Sequence, residues 1–221
     1  MIQLEETYTW QQLAVMSKLD KLQAELDIIC FSVSGNMEDI YKISEYAAVE
    51  AMRCFSKRQE EHFQKNKEMY KQKFPKFDFN RIFRIKINEG IKPVGEKVPF
   101  DKFVGFDYEN EEIDIHQHGA LDLVHALLEP PYSLRLPIEV EQEDAGYYKL
   151  KMAEYTKIYR LFIKDFLLLS EQAKDKVTIY RWSDEWSNYF DAGKEWWGTF
   201  YWTIYNSETN TIIVIGASAT D

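Results

Sequence analysis

The order of patterns along the sequence predicts an α+β fold: an N-terminal helical hairpin, then a mostly antiparallel sheet with two further helices and a C-terminal β-hairpin. Before residue 75, apolar residues recur at spacings of three and four, the period of a helix with one buried side. After residue 76, short apolar runs lie between clusters of Gly, Pro and Asn, which indicates strands and turns. Because helices and strands do not alternate regularly, this order favours α+β over a parallel βαβ sheet.

The N-terminal segment, residues 1–75, is predicted to form two antiparallel helices. Thr9 followed by Gln12 has the form of a capping box, and periodic apolar residues continue from there to Ile29. A turn rich in Ser and Gly then predicts the end of the first helix. A second helix is predicted over about residues 37–73, so the pair would form a helical hairpin.

The second segment, residues 76–221, is predicted to be an acidic α+β domain, with the N-terminal helices packed on its sheet as one compact unit. Alternating apolar residues predict strands at Phe83–Ile87, Phe103–Tyr108, Ile113–Ile115, Leu134–Val140 and Val177–Trp182. The stretch Gly90–Pro99 holds two Gly and two Pro and is predicted to be a loop.

Two helices and a hairpin complete the predicted domain. A short helix, Ala120–Leu128, ends before Pro130 and Pro131, and a longer helix covers about Asp144–Leu169. At the C-terminus, Gly198–Tyr205 and Thr211–Ala217 flank a polar turn and predict a β-hairpin.

The composition indicates a globular chain, with 45% hydrophobic and 29% charged residues among 221. Its two cysteines, Cys30 and Cys54, lie in segments predicted to be helical and lack CxxC spacing, which suits free thiols in a reducing compartment. The sequence shows no signal-peptide pattern and no apolar run long enough to span a bilayer. We therefore expect a soluble, cytoplasmic protein without membrane association.

The net charge of −10 is spread unevenly along the chain. Residues 1–102 hold 17 Lys and Arg against 16 Asp and Glu, whereas residues 103–221 hold 10 against 21, a net charge of −11. An acidic half repels nucleic-acid phosphates and attracts basic proteins. We expect a basic protein partner and no nucleic acid, although such a charge also serves solubility alone.

A basic stretch lies within the N-terminal half. Residues 53–86 contain 11 Lys and Arg against four acidic residues, with aromatic residues interleaved. This pattern is compatible with a helix that faces RNA or a membrane. No base-reading or membrane-inserting pattern accompanies it, so the favoured interpretation is a solvated helix end, in contact with the acidic half of the same molecule.

A metal site is predicted as an alternative at Asp114, His116 and His118. Residues two apart on a strand point to the same face, and imidazole and carboxylate groups are common ligands of zinc and iron. Such a site would support a small metal-assisted hydrolase, with Glu112 as a general base. The competing interpretation is a solvated strand end, and the expected default is a chain without a cofactor.

An aromatic cluster near the C-terminus carries the favoured functional hypothesis. Five of the six tryptophans fall between residues 182 and 202, among several acidic residues. Exposed aromatic rings anchor protein interfaces, and an acidic rim steers a basic partner. The predicted contact residues are Trp186, Trp196, Trp197, Asp184, Glu185, Asp191 and Tyr189. Alternatively, the rings line a ligand pocket or simply fill the core.

The sequence contains none of the common catalytic or nucleotide-binding motifs, such as a P-loop, GxGxxG, GxSxG or HExxH. The favoured hypothesis is therefore a non-catalytic protein that binds a basic partner, as an inhibitor or immunity-type protein does. The metal-assisted hydrolase and an interaction domain without a discrete site remain as alternatives.

Overall fold

A computed structural model of the chain describes residues 2–35, 38–76, 78–79, 83–113, 122–138 and 145–219. The strands are β1 (Gln3–Glu6), β2 (Asp27–Ser34), β3 (Gly95–Val98), β4 (Phe106–Asp107), β5 (Glu112–Ile113), β6 (Val177–Trp182), β7 (Phe200–Asn206) and β8 (Thr211–Ala217). The α-helices are α1 (Trp10–Leu22), α2 (Ile40–Lys73), α3 (Phe100–Val104), α4 (Asp122–Leu128) and α5 (Ala145–Leu161). A π-helical turn, Phe162–Phe166, follows α5, and short 3₁₀ turns occupy Glu171–Lys176, Asn188–Phe190 and Gly193–Glu195.

Six strands form one antiparallel sheet in the order β1-β2-β8-β7-β6-β3. The two central strands, β8 and β7, form the C-terminal hairpin. Strand β2, from the N-terminal part of the chain, pairs with β8 from Asp27 opposite Gly216 to Ser32 opposite Thr211. Strands from both ends of the sequence therefore lie side by side in one sheet.

Both faces of the sheet are buried. Ile212 and Val214 of β8 belong to a core that includes the N-terminal half of α2, whereas Ile213 and Ile215 belong to a core built with α1, α4 and α5. Successive residues of a strand point to opposite faces, so the apolar run of β8 supplies both cores. On the α2 side, Tyr201 Oη donates a hydrogen bond of 2.7 Å to the Ala48 carbonyl oxygen.

The α+β class, the mostly antiparallel sheet and the C-terminal hairpin are confirmed. The long helix is also confirmed as α5 with its π-helical turn, and the short helix is confirmed over its described part, α4. The predicted capping box is present: Gln12 N donates to Thr9 Oγ1 at 3.2 Å, and Thr9 N donates to Gln12 Oε1 at 2.9 Å.

The first helix, however, does not continue to Ile29, and the two N-terminal helices are not joined directly. Helix α1 ends at Leu22, Gln23 adopts a left-handed conformation, and β2 then separates α1 from α2. Cys30 accordingly lies on a strand. The reason is that a continuous apolar run such as 28–31 fits a buried strand as well as a helix, and only the pairing with β8 decides between them.

Several predicted strands are also wrong. Within Phe83–Ile87, only Ile87 forms an isolated bridge, to Ser187. Residues Phe103 and Val104 belong to α3, which Pro99 precedes, so only the end of that prediction is a strand, β4. The predicted loop Gly90–Pro99 contains β3, an edge strand. Residues 134–138 form no strand, and residues 114–121 and 139–144 lie outside the described residues.

The basic stretch of residues 53–86 contacts the acidic half of the chain through hydrogen bonds of Arg84 and Lys86 backbone atoms with Asn188, but no described ion pair joins the two. Its described ion pairs all go to acidic residues before residue 70, for example Arg84 to Glu60 at 2.9 Å and Lys71 to Glu68 at 2.8 Å. Most of α2 after Phe55 is exposed or half-buried, with Phe63 as the buried exception. Within the described ranges, no helix combines the length and the apolar character that spanning a membrane requires.

Candidate functional site

Three of the predicted contact residues, Trp186, Tyr189 and Trp197, are buried. Trp186 packs edge-on against Phe190 and Tyr201, with 5.6 Å between ring centroids in each case. Their rings therefore offer little exposed area to a partner, although Tyr189 also lines a recess on another part of the protein. Their burial follows from the two cores, which need large rings on both faces of the sheet.

Trp196 is the exception, and it remains 55% exposed. The connection between β6 and β7 folds back here, because Gly198 N donates to the Gly193 carbonyl oxygen at 2.8 Å. Gly193 has to be glycine, since a Cβ at this position would lie 2.0 Å from the Gly198 oxygen. Inside the same loop, Trp197 turns inward and donates from Nε1 to the Glu129 carbonyl oxygen at 2.8 Å.

Exposed carboxylates accompany Trp196. Glu185, Asp191 and Glu195 are all exposed, and with Trp196 they define what we call the Trp196 surface. Lys194 lies between Asp184 and Asp191. Its Nζ is 3.8 Å from an Asp184 carboxylate oxygen and 4.0 Å from an Asp191 carboxylate oxygen.

Asp184, also predicted as a contact residue, has a more structural role. It is half-buried, and Thr199 Oγ1 donates to its Oδ2 at 2.7 Å. Its main-chain oxygen accepts a hydrogen bond of 2.9 Å from Lys194 Nζ. Asp184 therefore helps to hold the loop that presents Trp196.

The predicted metal ligands Asp114, His116 and His118 lie outside the described residues, so the metal site stays a prediction. Among the residues that are described, no group of three His, Cys, Asp or Glu side chains could hold a metal ion. The nearby His125 lies on α4, where its Nδ1 is 2.9 Å from Glu129 Oε2 and its Nε2 is 3.4 Å from the Trp197 carbonyl oxygen.

A site that the sequence analysis missed is a recess of about 720 Å³ at the start of β2, which we call the Asp27 recess. Residues from the middle of α2, from the segment before β3, from the connection after α4, from the 3₁₀ turn at 188–190 and from the segment that follows β8 surround it. Its charged and aromatic lining side chains include Glu25, Asp27, Arg58, Phe83, Tyr132 and Tyr189.

Asp27 and Tyr189 form the floor of this recess. Tyr189 Oη donates a hydrogen bond of 2.9 Å to Asp27 Oδ2. The hydroxyl reaches the carboxylate across Gly216, the residue that pairs with Asp27 in the sheet; a Cβ on Gly216 would lie 2.8 Å from Tyr189 Oη. A glycine inside a strand often marks such a close approach. Gly216 is therefore the feature of the sequence that could have indicated the contact between Asp27 and Tyr189.

Desolvation shapes the electrostatics of the recess. Asp27 remains accessible to solvent, but the surrounding protein displaces much of its hydration and raises the pKa of its carboxyl group. The hydrogen bond from Tyr189 and the charge of Arg58 act in the opposite direction. Burial also raises the pKa of the Glu25 carboxyl group, and the negative charge of Asp27 raises it further.

Arg58 is already occupied by neighbouring groups. Its guanidinium donates to Glu6 Oε1, to Tyr8 Oη at 3.0 Å and to the Ile28 carbonyl oxygen at 3.2 Å. Burial raises the pKa of Tyr8 to about 12, so this hydroxyl stays protonated at neutral pH. Arg58 is therefore shared, because its charge acts on Asp27 while its guanidinium pairs with Glu6.

The cysteines offer no reactive thiolate. Burial raises the pKa of Cys30 to about 12 and raises the pKa of Cys54 as well. A thiol acts as a nucleophile in its ionised form, so these shifts lower the reactivity of both groups at neutral pH.

Comparison with protein families, with curated proteins and with solved structures finds no match to this chain. Its function has to be inferred from the two sites described above, the Trp196 surface and the Asp27 recess.

Proposed function

We propose that this chain is a non-catalytic binding protein that engages a basic protein partner through the Trp196 surface, in an inhibitor or immunity-type role. The observation that carries the proposal is the exposure of Trp196 in the connection between β6 and β7, which also holds the exposed carboxylates of Glu185, Asp191 and Glu195. Tryptophan is among the residues most often found at the energetic centre of protein interfaces, and complementary charge around it speeds association and selects the partner.

The buried neighbours of Trp196 support this role indirectly. Trp197 is fixed by its hydrogen bond to Glu129, and the loop is closed between Gly193 and Gly198. A surface held in this way loses little conformational entropy on binding, which improves affinity.

A second exposed tryptophan provides an internal comparison. Trp10 is 81% exposed at the start of α1, but the first turn of that helix contains no acidic residue. Exposure alone is therefore shared by both rings, whereas an acidic residue next to the tryptophan in the chain, Glu195, is a feature of Trp196. Trp10 is the matched control for experiments on the surface.

The proposal is tested by using the full chain as bait in a lysate of its own cells, at low and high salt, with mass spectrometry to identify what is captured. We expect a basic protein that is retained at low salt and released at high salt. Purified with that partner, Trp196→Ala should weaken binding about 30-fold or more, as removal of an anchor residue does. Replacing Glu185 and Asp191 with Gln and Asn should slow association.

The control variant Trp10→Ala should bind like the original chain. Failure to capture any basic protein at low salt would contradict the proposal. A partner whose binding depends on Trp10 and not on Trp196 would move the interface to α1.

A further inference from the structure

We propose that the Asp27 recess is a binding site for an organic cation, an ammonium or guanidinium group carried on an apolar body. This site is separate from the Trp196 surface, since none of the four residues that define that surface lines the recess. The inference does not rest on the proposed protein-binding function.

The shape of the recess suits a small ligand. Its volume of about 720 Å³ falls in the range of roughly 300–1,000 Å³ that is typical of small-molecule sites. Two large rings on its walls, Phe83 and Tyr132, remain 48% and 63% exposed. Such rings offer apolar contact area, and their faces attract cations.

The charge of the recess determines the sign of the charge that a ligand should carry. Asp27 and Glu25 contribute two negative charges to the lining, and Arg58, which also pairs with Glu6 outside it, contributes one positive charge. Among the described residues, no lysine or arginine forms an ion pair with either of the two carboxylates. His62, on the α2 side, is within 3.0 Å of Tyr70 Oη through its Nε2. The net charge of the lining is therefore negative.

The two carboxylates are exposed, but the surrounding protein displaces part of their hydration. Burial raises both pKa values, and Asp27 raises the pKa of Glu25 in addition. An arrangement that destabilises the empty protein is typical of a binding site, because the ligand supplies the missing opposite charge. A cation placed between Asp27 and the rings would do so.

The lining favours an organic cation over a metal ion. Within the described residues, no cluster of three metal-ligating side chains exists, and the recess adds aromatic walls to its two carboxylates. A metal site would be closed by further oxygen or nitrogen ligands. An ammonium or guanidinium group could reach the recess either on a free amine or on a lysine or arginine side chain of another protein.

The test is a calorimetric titration of the full chain with phenethylamine and with its uncharged counterpart, 2-phenylethanol. We expect saturable binding of the amine and at least about tenfold weaker binding of the alcohol, the difference that one charge-assisted contact makes. Asp27→Asn should weaken amine binding by about tenfold or more, while it keeps an oxygen that can accept the Tyr189 hydrogen bond. Asp191→Asn, an exposed carboxylate outside the recess, is the matched control and should bind unchanged.

Nα-acetyl-lysine amide and Nα-acetyl-arginine amide distinguish the two sources. Tighter binding of either amide than of phenethylamine would assign the site to a protein side chain, and the reverse order would assign it to a free amine. Glu25→Gln provides a second variant in case Asp27→Asn fails to fold.

Equal binding of the amine and the alcohol, or amine binding that neither Asp27→Asn nor Glu25→Gln weakens, would overturn the inference. So would the absence of saturable binding by all three cations. Trp196→Ala should leave the titration unchanged, so a failed partner capture and an empty recess are separate outcomes.

Discussion

At the scale of single residues, Gly216 decides whether Asp27 and Tyr189 can meet. The two side chains belong to residues 162 positions apart, and their hydrogen bond passes over the one position in β8 that lacks a Cβ. The carboxylate is thereby held in a partly desolvated recess, at a cost in stability when it is ionised.

This cost predicts a pH-dependent effect of Asp27→Asn. The pKa of Asp27 is raised in the folded protein, so its ionisation opposes folding. The penalty is absent below the pKa of the unfolded chain, about 3.9, and fully present above the folded pKa. The variant should therefore be more stable than the original chain at pH 7, and the difference should disappear as the pH falls to about 4.

Denaturant unfolding at the two pH values measures this difference. The groups that act on Asp27 are Tyr189 and Arg58, which favour its charged form, while desolvation opposes it. An original chain that is the more stable one at neutral pH would show that Tyr189 and Arg58 outweigh desolvation.

At the scale of elements, α2 has two different halves. From Ile43 to Phe55 its buried side chains include Ala47, Ala48 and Ala51, small residues that let the helix lie close to the sheet. Beyond this point the helix continues for five turns with Phe63 as its buried anchor among exposed basic residues. Tertiary contacts stabilise the first half, and the last turns depend mainly on local interactions.

Hydrogen exchange should separate these halves. We expect backbone amides in residues 64–73 to exchange at least on the order of tenfold faster than those in residues 47–55, because local opening costs least where few apolar contacts are lost. Mass spectrometry of exchanged peptides checks this in the absence of any ligand. Equal protection of both halves would indicate that the basic end of α2 is covered by something else in solution.

At the scale of the whole molecule, β8 connects both cores and both ends of the chain. Its neighbours are β2 from the N-terminal part and β7 from the C-terminal hairpin. Val214 and Ile215 are each fully buried, on opposite faces of the sheet. Loss of one core should therefore weaken the other.

This coupling predicts one cooperative unfolding transition, as expected if the helices and the sheet form one compact unit. Far-UV circular dichroism and tryptophan fluorescence should give the same midpoint. Ile215→Ala should lower the free energy of unfolding by about 2–5 kcal/mol and shift both signals together. Two separate transitions, with the variant affecting one of them, would show that the cores unfold independently.

The predictions that the structure confirms are those based on local patterns in the sequence. The Thr9–Gln12 capping box, the period of α5 and the polar turn between β7 and β8 each depend on residues a few positions apart, and each is present in the structure. Interactions within each segment stabilise these features, so local sequence is enough to predict them. The α+β class follows from the helices and strands that they mark. The exposure of Trp196 and the burial of Trp186 could not be separated in this way, since both lie in similar aromatic and acidic surroundings.

The sequence by itself determined the class of fold, the acidic C-terminal half and the aromatic segment on which the proposed interface rests. Only the tertiary structure decided that residues 27–34 form a strand, because pairing with β8 outweighs local helical periodicity. It alone decided which rings are sealed in a core and brought Asp27 to Tyr189. Burial and long-range pairing are properties of the whole packed chain, and no short stretch of sequence encodes them.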